Sequence, residues 1–370
     1  MEKIKVFLQY PWKYVDSSFY RNLVRSAPKE VEYVNKKNIR AIDSKVGFNI
    51  NKFLKVWARR IITLLRVPNY IYTKDGDYDL IHCAHCLSLN EKKPWIVDFE
   101  KYETLSVNGY YARSKSGAEK IRRILRKPNC KKILPWTEAA KRSMLKYIDD
   151  REVTKKIELL PFALPLKKME IKKERGKVKI LFVARYFEPK GGYYAVEVLD
   201  KLTKKYDNVE GIIVTEAPNE ILEKYKNNKK MKFLGLMGQE ELFKVYASSD
   251  ILFYPGFSDT FGFALVEALM YKLPIITFEG FARDEIVIEG KNGFIVKKPE
   301  NLSPNWIEIR KKFSQKYADE AARKTEILIK DNKLRKSMGE LGYKMIESGK
   351  FSVPNRNKIL MKIYREALGK

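Results

Sequence analysis

Short apolar runs alternate with amphipathic stretches along this chain, and the alternation runs through twice. In the first half, KIKVFLQY (3–10), YDLIHCA (78–84) and PWIVDF (94–99) read as strands, and ILPWTEAAKRSMLKYI (133–148) as strand, cap and helix. Asp16, Ser17 and Ser18 supply capping residues ahead of FYRNLVRSA. In the second half, KVKILFVA (177–184), GIIVT (211–215), MKFLG (231–235), DILFYP (250–255), PIIT (274–277) and GFIV (293–296) are strands with helical stretches between them. Short buried strands separated by helices require parallel sheets covered on both faces. The expected fold is therefore α/β, with two Rossmann-like domains facing each other across a cleft. The charge-rich break LPLKKMEIKKERGKVK (164–179) is the linker between them. This puts an N-terminal domain at 1–170, a C-terminal domain at 171–350 and a closing segment at 351–370.

Composition narrows the function classes. The 370 residues hold 74 Lys and Arg against 46 Asp and Glu, a net charge of +28. Such a balance calls for an anionic partner: nucleic acid, a membrane surface or phosphorylated ligands. Three cysteines do not make a disulfide framework, so a reducing cytosol is expected. The N-terminus goes straight into a strand pattern without the apolar core of a signal peptide, and no run approaches a membrane span. A cytoplasmic protein, either soluble or peripheral on the inner face of the membrane, is the expectation.

LIHCAHCLSL (80–89) holds both histidines and two of the three cysteines. As a strand it points His82, Ala84 and Cys86 one way and Cys83 and His85 the other. Neither set has the paired couplets of a zinc site, so no metal is expected. Cys83 and Cys86 read as small buried hydrophobes. His85, near the carboxyl end of the strand, reads as cleft-lining, since open α/β sheets bind ligands at that edge.

The segment richest in chemistry is FYPGFSDTFGFALVEALMYKLPIIT (253–277). A strand ends at Pro255, a loop follows, and a helix runs from about Phe263 to Tyr271. At the helix start the amides of Phe263, Ala264 and Leu265 lack intrahelical partners, the dipole is positive, and Gly262 allows close approach. This makes an anion seat. Asp259 and Glu267 bracket it, suited to accepting hydrogen bonds from sugar hydroxyls. The plainer alternative has Asp259 capping the helix and Glu267 in solvent. In VARYFEPKGG (183–192), Arg185 and Lys190 lie in a loop after a strand, where they can clamp a diphosphate and stabilise it as a leaving group.

These segments, in order and at these spacings, resemble the retaining glycosyltransferases of the GT-B fold, family four (glycosyl transferases group one). The carboxylate-x7-carboxylate signature corresponds to Asp259 through Glu267, and the Arg-x4-Lys-Gly loop to Arg185, Lys190 and Gly191. LGLMGQEELFKVYASSDILFYP (234–255) is similar to the stretch whose main chain holds the nucleobase, around Leu236 and Met237. The resemblance implies that Arg185 and Lys190 bind the donor diphosphate, Glu267 the ribose and Asp259 the hexose. The backbone from Phe261 through Gly262 and Phe263 to Ala264 would line sugar and phosphate. It further implies transfer of a hexosyl unit from a nucleotide sugar (UDP- or GDP-linked) with retention, no cofactor, no metal, and a last helix crossing back onto the N-terminal domain. Asp259-Thr260 replaces the usual Glu-Gly. Where many members have a histidine near the reacting centre, this chain has Asp98-Phe99-Glu100. Glu100 is accordingly a candidate contact to donor sugar or acceptor, and His85 and Asp98 are candidates for the acceptor side.

Two stretches account for much of the charge in the N-terminal half. VGFNINKFLKVWARRIITLLRVPNYIY (46–72) places Phe48, Phe53, Leu54, Trp57 and Ile61 at largely helical spacings among basic residues, with no acid from 46 to 66. RSKSGAEKIRRILRKPNCKK (113–132) has nine basic residues and one acid. Basic amphipathic stretches suit an anionic bilayer and a lipid-linked or glycan acceptor. The alternative is a helix packed on its own sheet with a solvated basic rim. A nucleic-acid-binding protein lacks its signature here. A nicotinamide enzyme lacks its GxGxxG. A GT-B sugar epimerase or phosphorylase shares the fold and needs other catalytic groups.

Overall fold

A computed structural model describes residues 2–10, 17–35, 65–166, 170, 173–256, 260–297 and 313–370. Asp16, Asp259 and most of the basic stretch at 46–72 lie outside these residues. The chain forms two compact units, Met1–Pro165 with Val353–Lys370, and Leu166–Ser352. The last helix, Val353–Ala367, thus belongs with the first unit rather than the one it follows.

In the first unit a five-stranded parallel sheet is ordered β2 (Val31–Tyr33), β1 (Ile4–Gln9), β4 (Leu80–Ala84), β6 (Trp95–Phe99), β7 (Cys130–Pro135). β4 and β6 are buried along their whole length, which is why they read as continuous apolar runs. β3 (Tyr70–Ile71) and β5 (Leu87–Ser88) form a separate two-stranded parallel pair. Around the sheet, Trp95, Val97, Phe99, Tyr102, Ile121 and Ile133 form one core. Phe19 stacks on Trp136 with ring centroids 3.9 Å apart. The helix Ser18–Arg25 starts at Ser17 as expected, yet the Ser17 side chain makes no cap bond. Thr137 does cap its helix, accepting from the Ala140 amide.

The second unit carries a six-stranded parallel sheet. Its strands are β8 (Val178–Val183), β9 (Val209–Val214), β10 (Met231–Leu234), β11 (Ile251–Tyr254), β12 (Ile275–Phe278) and β13 (Gly293–Val296), in the order β10-β9-β8-β11-β12-β13. The chain winds outward from β8 to β10, returns to the far side of β8, and winds outward again. That is the doubly wound pattern, and its direction reverses between β8 and β11.

The helix after β11 spans Phe263–Met270, with Leu265, Val266 and Leu269 fully buried. Each such side chain contributes about 1.5–3 kcal/mol relative to exposure. The helix ends in a Schellman arrangement, Lys272 N–H to the Leu269 carbonyl and Leu273 N–H to the Ala268 carbonyl. Lys272 takes the left-handed position (φ 58°) usually held by glycine, and its ammonium pairs with Glu340 at 2.7 Å. Helix Asn332–Glu347 packs against this element at Gly339 and Gly342. A Cβ on Gly339 would lie 2.2 Å from the Lys272 carbonyl oxygen.

Among the described residues, no helix is long and apolar enough to cross a membrane. The helix Lys115–Arg126 turns Gly117, Ala118, Ile121 and Leu125 into its own unit's core and leaves Lys115, Lys120, Arg123 and Arg126 exposed. For this stretch the packed-helix alternative holds: its apolar face is core, and only its basic face meets solvent.

Candidate functional site in the second unit

Two loops meet at the carboxyl edge of the second sheet, one after β8 and one after β11. After β8, Ala184 still donates to the Val214 carbonyl, and then the chain leaves the sheet. Arg185 and Tyr186 are exposed, with the guanidinium 5.8 Å from the tyrosine ring centroid. Phe187 turns inward and a short 3-10 turn, Glu188–Lys190, leads to Gly191. Gly191 adopts φ 77°, and a Cβ there would lie 2.1 Å from the Pro255 carbonyl oxygen. Pro255 is the first residue after β11. The Arg185–Gly191 loop and the β11 loop are therefore in backbone contact, and only glycine permits the approach.

Gly262 is left-handed as well (φ 91°) and delivers the chain into the helix Phe263–Met270. Phe261 is buried, with its ring 5.1 Å from that of Phe263. Phe263 and Ala264 are half-buried at the helix start. One expectation needs correcting. The Leu265 amide donates to the Gly262 carbonyl at 2.9 Å, so this turn closes on itself and the anion seat narrows to the residues before Leu265. The loop that holds Asp259 lies outside the described residues.

Glu267 is half-buried one turn into the helix, and it is not simply solvated. The Tyr246 hydroxyl donates to its Oε2 at 3.2 Å and lies 3.4 Å from the Ala264 carbonyl oxygen. Tyr246 comes from the preceding helix, Gln239–Ser248, and is wholly buried. Burial, and next the Glu267 carboxylate, push its phenol well above the usual range, so it stays a neutral donor. Tyr271 stacks on Tyr246 at 5.8 Å and 5°, and its own phenol is raised by burial and by Glu267. Neither tyrosine stood out in the sequence, where both merely fill apolar positions. Leu236 and Met237 occupy the loop after β10, on the same carboxyl edge, with Leu236 exposed.

In the first unit the outcome differs. Strand β4 stops at Ala84, because His85 takes a left-handed conformation (φ 53°) that ends the alternation. Cys83 and Cys86 consequently enter the same core cluster instead of opposite faces. His85 is 1% exposed, with Nδ1 3.1 Å from the Thr104 hydroxyl and its ring 5.0 Å from Trp136. It is packed in the core of its own unit. Asp98 is fully buried and accepts from the Tyr20 hydroxyl, while its Oδ2 lies 2.9 Å from His82 Nε2. Both carboxylate oxygens thus serve an internal network. Glu100, just beyond β6, is half-buried.

The family described as "Glycosyl transferases group 1" matches residues 166–307, which include both loops. Alpha-monoglucosyldiacylglycerol synthase of Acholeplasma laidlawii is 32% identical over 135 residues, 35% of this chain and 34% of that protein. The phosphatidylinositol N-acetylglucosaminyltransferase GPI3 subunit of Saccharomyces cerevisiae is 27% identical over 111 residues, 29% of this chain and 25% of that one. The chain thus spans about a quarter to a third of the length of these curated relatives. Over nearly its full length it shares the fold of Anabaena HepE, solved with UDP and glucose (TM-score 0.62, 13% identity, 98% of this chain and 99% of that one). Residues 166–307 are thus similar to the glycosyl transferases group 1 family, and the chain as a whole has a GT-B fold.

Proposed function

We propose that the protein is a retaining glycosyltransferase that works without a metal and moves a hexosyl unit from a UDP-sugar to a lipid-linked acceptor at a membrane surface. The observation that carries this reading is the joining of the Arg185–Gly191 loop to the β11 loop at the point where the sheet order reverses. Ligands of open α/β sheets bind in that crevice. A nucleoside diphosphate laid there meets the guanidinium of Arg185 and the ammonium of Lys190 on one side. On the other it meets the helix start at Phe263 and Ala264.

The two cations do the work assigned to a metal in other transferases. As the anomeric C–O bond to the diphosphate breaks, they neutralise the charge gathering on the departing oxygen. Glu267 accepts from the ribose hydroxyls and Asp259 from the donor hexose. The main chain at Leu236 and Met237 holds the base, and Glu100 touches donor sugar or acceptor. With the leaving group held on one face and the acceptor oxygen entering from that face, the anomeric configuration is retained.

Relatives favour UDP and a lipid. HepE was solved with UDP, and both curated relatives are named for lipid substrates or products. The net charge of +28, and the exposed lysines and arginines of helix Lys115–Arg126, suit an anionic surface. Incubation with UDP-glucose, UDP-N-acetylglucosamine or GDP-mannose tests the reading, using vesicles that contain diacylglycerol or phosphatidylinositol and excess EDTA. An α-linked glycolipid formed in EDTA supports it. Epimerised sugar without transfer, or activity restored only by a divalent cation, contradicts it.

A further inference from the structure

We propose that Tyr246 is a positioning residue for Glu267, fixing the carboxylate so that the site distinguishes a nucleotide with an intact ribose diol from one lacking a hydroxyl. The proposal rests on Glu267 being the ribose-binding group. It adds what holds Glu267 in place and what selectivity follows.

Glu267 sits on a helix surface with three rotatable side-chain bonds, and an unrestrained glutamate there would sample several rotamers. Here its Oε2 is tied to a hydroxyl whose own position is locked. Tyr246 is 0% exposed, and its ring lies flat against Tyr271 at 5.8 Å. The neighbouring side chains Phe243 and Tyr271, 5.8 Å apart between ring centroids, extend the same packed wall. Tyr246 reaches Glu267 from a different helix, so the bond ties the last turn of one helix to the middle of the next. A carboxylate has about four lone-pair sites, so a bond from Tyr246 to Oε2 is compatible with acceptance from a vicinal diol. Two hydroxyls reading two oxygens is an orientation-sensitive arrangement. Its selectivity depends on the carboxylate plane being held, and the buried phenol holds it.

Tyr271 supplies a matched control. It is 1% exposed and beside the same carboxylate, and its hydroxyl has no hydrogen-bond partner among the described residues. Removing that oxygen leaves the Tyr246–Glu267 bond in place.

The test is calorimetric binding of UDP, 2′-deoxy-UDP and 3′-deoxy-UDP to the wild type and to Tyr246→Phe, Tyr271→Phe and Glu267→Gln. Melting temperatures confirm that each variant is folded. Tyr246→Phe is expected to weaken UDP on the order of tenfold, the effect of one hydrogen bond to a charged group. Both deoxy analogues should change little, so the discrimination ratio falls. Tyr271→Phe should keep the wild-type ratio, and Glu267→Gln should abolish it. Equal weakening of all three ligands by Tyr246→Phe would mean a merely structural tyrosine and would overturn the proposal while leaving Glu267 as the ribose group. A wild-type ratio in Tyr246→Phe would do the same. A wild-type ratio in Glu267→Gln would remove the ribose assignment itself, and the proposal with it.

Discussion

Nδ1 of His82 lies 2.8 Å from the Tyr364 hydroxyl, tying the centre of the first sheet to the last helix of the chain. The other ring nitrogen faces Asp98, and Tyr364 is 2.9 Å from the Tyr33 hydroxyl. This buried chain from Tyr20 to Tyr33 explains why Val353–Ala367 belongs to the first unit. Arg356, 1% exposed, adds a bond to the Ser26 carbonyl.

Replacing Tyr364 by Phe keeps the ring and strands a buried imidazole nitrogen, at a cost of about 1–3 kcal/mol. Hydrogen exchange should show weaker protection of residues 353–367, with the second unit's strands unchanged. Undiminished protection in the variant would mean that packing alone holds the helix.

Gly191→Ala should be far more damaging than its size implies. A left-handed alanine costs roughly 1–2 kcal/mol, and its methyl would meet the Pro255 carbonyl oxygen at 2.1 Å. The β8 and β11 loops must separate, so UDP binding should be lost while β8 and β9 stay protected from exchange. Gly290→Ala, also at positive φ but with open space around the Cβ, is the control for strain without collision.

Acid stability should carry a signature of Glu119. Hydrogen bonds from Arg122 and Arg123 draw its carboxyl from 4.5 down to about 2. A depressed folded-state value means that the contribution is present above pH 4.5 and lost as pH falls towards 2. In melting curves between pH 6 and 2, Glu119→Gln should fall below the wild type near neutrality and converge with it at the acid end. A constant offset would show that the guanidinium pairs contribute nothing to folding.

Much of the fold was legible because buried parallel strands leave unmistakable apolar runs. KVKILFVA contains Val178–Val183 and DILFYP contains Ile251–Tyr254. Val31–Tyr33 was missed, since three residues at a sheet edge carry no periodicity of their own. The break in alternation at His85 was missed because a left-handed residue after a strand is invisible to a two-residue alternation. In the site, Arg185, Lys190 and Gly191 could be found from their place after a strand. Tyr246 could not, as its bond to Glu267 joins residues 21 positions apart on different helices, and such pairing is decided by tertiary packing. The same holds for Asp98, which stands beside the expected contact position and is consumed by Tyr20 and His82.

Metal-free binding of a nucleoside diphosphate to the β8–β11 crevice through Arg185 is the step on which the proposed function turns. It is tested most directly by calorimetry of UDP, with GDP as comparison, in excess EDTA, on the wild type and Arg185→Ala. UDP binding should survive EDTA and weaken in the variant by at least an order of magnitude, the effect of a lost charge-assisted contact to phosphate. Binding that needs a divalent cation, or that is equally strong in Arg185→Ala, would contradict it.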